Sequence, residues 1–84
     1  MPVTLRETGF TFFFFSNEGD PREPPHIHVR RGGGLAKFWL RPVTLATSRG
    51  FDPRALSQIE LAVARHSDRF TEAWNEYFGD GRAL

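Results

Sequence analysis

With 84 residues the chain is bounded to one small domain, and the absence of cysteine excludes both a disulfide framework and a thiolate zinc site. Eleven lysines and arginines against ten acids leave a formal net charge of +1, too little to argue for a nucleic-acid partner from the sum alone, so the placement of charge has to decide. The longest apolar run, residues 12–15, falls far short of the roughly 20 residues of a membrane-spanning helix, no basic-then-apolar leader opens the sequence, and a cysteine-free chain suits a reducing compartment, so the expectation is a cytoplasmic protein without a membrane partner.

Residues 3–7 and 10–16 flank Thr8-Gly9 and predict a hairpin. Residues 12–15 are apolar on both faces, which predicts a strand inside the sheet rather than at its edge. A charged loop stiffened by Pro21, Pro24 and Pro25 then enters a third strand, where alternation puts His26 and His28 on one face and Ile27 and Val29 on the other. Gly32-Gly33-Gly34 predicts a hairpin loop into residues 35–40; no helix follows the glycines, which disfavours a phosphate cradle. Pairing Ala36, Phe38 and Leu40 with Ile27 and Val29 makes an apolar layer and leaves His26, His28, Arg30, Lys37 and Trp39 together on the opposite face. Val43-Thr44-Leu45 predicts a short edge strand, and Ser48-Arg49-Gly50 a connection.

Asp52-Pro53 is a helix start, with a capping carboxylate and a proline suited to the first turn. Leu56, Ile59, Ala62 and Val63 form an inward stripe, with Leu61 opposite it and exposed. The helix is expected to end near His66, in a structural role at the negative end of the dipole. Ser67 is expected to cap a second helix in which Phe70, Ala73, Trp74 and Tyr77 share a buried face before Gly79 stops it. The predicted fold is α+β: an antiparallel sheet of three or four strands covered on one face by two C-terminal helices, spanning residues 1–79, with 80–84 a flexible tail.

The segment Ser16-Asn17-Glu18-Gly19-Asp20-Pro21-Arg22-Glu23-Pro24-Pro25-His26-Ile27-His28-Val29, followed by Ala36-Lys37-Phe38-Trp39-Leu40 and by Ala73-Trp74-Asn75-Glu76-Tyr77-Phe78, resembles a family of small bacterial proteins catalogued as a domain of unknown function. The resemblance covers residues 1–79 and rests on three separated motifs in order. It implies pairing with a second small open reading frame, and some such pairs are described as toxin-antitoxin modules in which the protein similar to this one is the toxin. The implied partner is therefore an antitoxin-like small protein encoded by a neighbouring gene. Asn17, Glu18, Asp20, Arg22, His26, His28, Lys37, Trp39, Trp74, Asn75 and Glu76 are motif positions without assigned roles.

Three chemistries fit these residues. A metal-independent ribonuclease would use His26 and His28 as base and acid, with Lys37 and Arg30 meeting the phosphate and Trp39, Phe13 or Phe15 stacking a base. Arg22, Arg30, Arg41, Trp39, Asn17, Glu18 and Asp20 are then the candidate nucleic-acid or partner contacts. Against this, two histidines on a wet strand are more often ordinary hydrogen-bond partners. A metal ion held by His26 and His28 would need Glu18, Asp20 or Glu23 to complete its ligands, and no spacing forces that. A non-catalytic module would use the same loop and basic face to bind a protein or RNA. No cofactor is expected, and apolar surface left uncovered by so small a core would be met by the cognate protein or by a homodimer.

Overall fold

The computed structural model describes residues 3–15 and 23–79. Five antiparallel strands, β1 (Val3–Glu7), β2 (Phe10–Phe13), β3 (His26–Arg31), β4 (Gly34–Leu40) and β5 (Val43–Arg49), lie in sequence order across one sheet, followed by α1 (Pro53–Arg65) and α2 (Ser67–Phe78). The α+β class is as expected, but the sheet has five strands rather than three or four. The short edge strand expected at 43–45 continues through Thr47, Ser48 and Arg49, which pair with Lys37, Ala36 and Leu35. A bulge at Ala46, between the Lys37↔Thr47 and Phe38↔Leu45 pairs, interrupts the alternation that would have marked the strand as one piece. Residues 16–22 and the expected tail at 80–84 lie outside the described residues.

Two tight turns set the register. Thr8 and Gly9 both have positive φ, 49° and 84°, as a type I′ hairpin turn requires. Gly32-Gly33 joins β3 to β4, so Arg31 pairs with Gly34 and the ladder runs back to His26↔Trp39. Close packing favours glycine at position 34, where a Cβ would lie 2.5 Å from the Phe51 ring.

One face of the sheet is apolar by alternation. Phe10, Phe12 and Phe14, Ile27 and Val29, and Ala36, Phe38 and Leu40 pack against Ile59, Ala62 and Val63 of α1 and Phe70 and Trp74 of α2. Asp52 caps α1 by accepting from the Ala55 amide at 2.8 Å, with Pro53 in the first turn. His66 closes α1 and occupies the cap position of α2, so Ser67 lies inside the second helix and no side chain caps it, contrary to the expected role. His66 Nε2 donates to Glu7 Oε1 at 2.9 Å, and Arg65 bonds the other carboxylate oxygen, tying the helix corner to β1. These two hydrogen bonds, His66 first, hold the Glu7 carboxyl below its ordinary pKa. On α2 the inward row is Phe70, Trp74 and Phe78, whose rings meet Phe12 and Phe14, so Tyr77 is displaced outward and is 50% exposed. Leu61 is exposed, as expected, and among the described residues no helix is long and apolar enough to cross a membrane.

Candidate functional site

The face of the sheet that carries no helix is built in three cross-strand rows. Side chains on one face recur every second residue, and the register aligns them. Arg6, Thr11, Arg30, Leu35 and Arg49 form the first row. Phe13, His28, Lys37 and Thr47 form the second, and His26, Trp39 and Thr44 the third. His26, His28, Arg30, Lys37 and Trp39 are thus neighbours. Arg41 stands apart, exposed in the turn after β4, while Asn17, Glu18, Asp20 and Arg22 lie outside the described residues.

The two histidines have different surroundings. His26 is fully buried, with its ring centroid 4.7 Å from Trp74 of α2 and 5.5 Å from Trp39, so it is shared between the helix layer and the open face. Its Nδ1 lies 3.0 Å from the Pro24 carbonyl, which can only accept, so that nitrogen carries the proton. The His28 ring stacks on Phe13 at 5.5 Å, meets Phe15 edge to face at 4.6 Å, and lies perpendicular to His26 at 5.2 Å. It retains 7% exposure and lines a shallow cleft of about 160 Å³ with Leu35, Lys37, Thr47 and Arg49. A reactant brought to that cleft meets His28 before His26.

The cations are held by different means. Lys37 Nζ donates to Glu23 Oε1 at 3.1 Å and sits 4.5 Å over the Trp39 ring, while Glu23 Oε1 is also 3.9 Å from His26 Nδ1. The Arg30 guanidinium carbon lies 5.0 Å from the Phe13 ring centroid, and the residue is exposed. Among the described residues Arg6 and Arg49 have no acid partner. None of the strand positions on this face is acidic; Glu7 points to the helices, and Glu60, Asp68, Glu72 and Glu76 are on them. The face can therefore attract a polyanion and offer half-buried rings for stacking.

Arg6, Thr47 and Arg49 were not among the residues expected from sequence. Arg49 falls in what reads as a connection, and Arg6 joins the face only once all four strand pairings are known. The C-terminal motif is divided: Trp74 is buried against His26, Asn75 is half-buried and Glu76 exposed. No group of three or more metal-binding side chains is found among the described residues, and Glu18 and Asp20, which a His26–His28 metal site would call on, lie outside them.

No curated protein and no solved structure matches the chain. The family model described as domain of unknown function (DUF4160) matches residues 9–75, a span that contains β2 through most of α2 and every described residue of the site except Arg6, and the chain belongs to that family.

Proposed function

We propose that the protein is the toxin of a bacterial toxin-antitoxin pair and that it acts on RNA, free or in the translation apparatus, through the open face of its sheet. The observation that carries this reading is the conjunction of Arg30 and Lys37 with Trp39, Phe15 and His28 on a face whose strand positions include no acid. Cations over a polyanion and rings under bases are the two interactions that sequence-tolerant RNA binding requires. Its partner is the antitoxin-like product of a neighbouring gene.

What favours binding over cleavage as the mode of action is that His26 is fully buried, with Trp39 and Trp74 against its ring, and out of a ligand's reach in that position. Ribonuclease chemistry by His26 and His28 is the second reading, favoured by the 5.2 Å approach of the two rings, and it requires His26 to become accessible. The discriminating experiment induces wild type, His28→Gln and Arg30→Gln/Lys37→Gln in a bacterial host while growth and total RNA integrity are followed. Arrest with intact RNA, lost in the double variant, supports action by binding. Arrest with fragmented RNA, lost in His28→Gln, supports the nuclease. Unimpeded growth with soluble, folded wild type refutes the toxin assignment. Coexpression with the neighbouring gene's product should restore growth and give one co-eluting complex.

A further inference from the structure

We propose that Arg6, Arg30 and Arg49 form a phosphate-binding row that carries the backbone of a single-stranded RNA across the sheet, an assignment that rests on the RNA-directed reading above. The row is continuous in the register: Arg6 pairs with Thr11, Thr11 with Arg30, Arg30 with Leu35 and Leu35 with Arg49. Each arginine is two strands from the next, so the three stand at intervals of about 10 Å and together cross the whole sheet. All three are exposed, and Arg6 and Arg49 have no acid partner among the described residues. Three arginines spread over the full width of the sheet suit an extended anion better than a small one. They fit a chain of phosphates, each taken by a planar fork suited to it.

Unpaired RNA is the form this face accommodates. Toward the other end of the same strands lie Trp39, half-buried, and Phe15, 38% exposed, and the cleft of about 160 Å³ beside Arg49 and Lys37 lies between that end and the row. Rings and a cleft reward bases that can leave a stack. A duplex keeps its bases paired, and no helix or hairpin rises from the described part of this face to enter a groove. The row supplies affinity without sequence preference, and the rings supply the preference for single strands.

The test measures binding of a labelled twelve-nucleotide oligouridine by fluorescence anisotropy over a range of salt concentrations. Each phosphate contact on a single strand contributes about −0.7 to the slope of log K against log salt, so Arg6→Gln/Arg49→Gln should flatten the slope by about 1.4. Arg54→Gln/Arg69→Gln, which removes the same charge from the helix layer, should leave the slope unchanged, and Trp39→Ala should weaken binding without flattening it. The row is refuted if the helix-layer variant flattens the slope as much, if the Arg6/Arg49 variant does not flatten it, or if the oligouridine does not bind. Equal or tighter binding of an RNA duplex overturns the single-strand assignment, tighter binding of oligothymidine overturns the choice of RNA, and equal competition by polyglutamate overturns both. The result separates from the toxin assignment: unimpeded growth with the row's salt response intact removes the toxin and keeps the row, whereas growth arrest without oligouridine binding does the reverse.

Discussion

On the helix-covered face Phe12, Val29 and Phe38 are closed off by Ile59, Val63 and Phe70, whereas on the open face Phe13 and His28 reach nearly the same burial among the described residues with no helix above them. Rings meeting rings contribute to that burial, with the Arg30 guanidinium over Phe13 and the Lys37 ammonium over Trp39. Cations that lie across aromatic surface shield it while keeping their charged ends in water. The difference teaches that the open face is a packed layer in its own right, dry at its centre and charged at its rim. The histidines belong to that packing as well as to any site.

The contrast can be broken most decisively by truncating a ring on each face. Phe38→Ala, under two helices that cannot follow, should cost about 3–5 kcal/mol in denaturant unfolding. Phe13→Ala should cost about 1 kcal/mol less, because the side chains above it can settle into the gap. Equal costs would mean that the open face is as rigid as the covered one. His26→Ala should lose about 2 kcal/mol, since it leaves the Pro24 carbonyl without its donor and opens a gap between Trp39 and Trp74. A loss within experimental error would remove the ring from the packing. This is why His28→Gln, rather than a double alanine variant, is the informative probe of function.

The hairpin turn sharpens the comparison at the sheet's edge. Thr8 is β-branched and holds φ 49°, a left-handed conformation that Asn tolerates far better. Thr8→Asn should therefore stabilise the protein by about 1 kcal/mol, and a destabilised variant would show that the Thr8 side chain is needed for more than its turn.

The smallest effect lies at the helix corner. The folded state holds the Glu7 carboxyl below its ordinary pKa, through His66 first and Arg65 second. The unfolded chain therefore takes up the proton first as pH falls. The contribution of Glu7 is complete above the unfolded carboxylate pKa of about 4.3 and is lost as pH drops through the lower folded value. The gap in melting temperature between wild type and Glu7→Gln should be open near neutrality and close on acidification below about pH 4. A gap that stays constant with pH would make the contact one of shape rather than charge.

Features set by neighbouring residues were legible in the sequence. Asp52-Pro53 carries its own capping chemistry, and alternation along β3 and β4 groups His26, His28, Lys37 and Trp39 on one face, although the exact pairing is set by a turn of Gly32-Gly33 alone, with Gly34, expected in the loop, already in β4. Features set by distant contacts were not. Ala46 interrupts the alternation of β5, so Ser48-Arg49-Gly50 reads as a connection although only Gly50, with φ 77°, leaves the strand. The burial of His26 depends on Trp74, which reaches it from the last helix, and no local pattern announces that contact. Ser67 looks like a cap until His66 is seen to serve both helices at once. For the candidate site, the central residues on β3 and β4 could be grouped in advance, but the row from Arg6 to Arg49 required every strand pairing to be known.

The sequential order of the five strands, with both helices following, has a consequence for how the molecule is made. Contacts between successive strands are local, so the sheet can grow hairpin by hairpin while the chain is still being synthesised. Its Phe10, Phe12, Ile27, Val29 and Phe38 face nevertheless stays bare until residues 53–78 have emerged to cover it. Until then the ribosome holds a nearly complete sheet with one sticky side. That interval is when a chaperone, or a partner translated alongside, has most to protect.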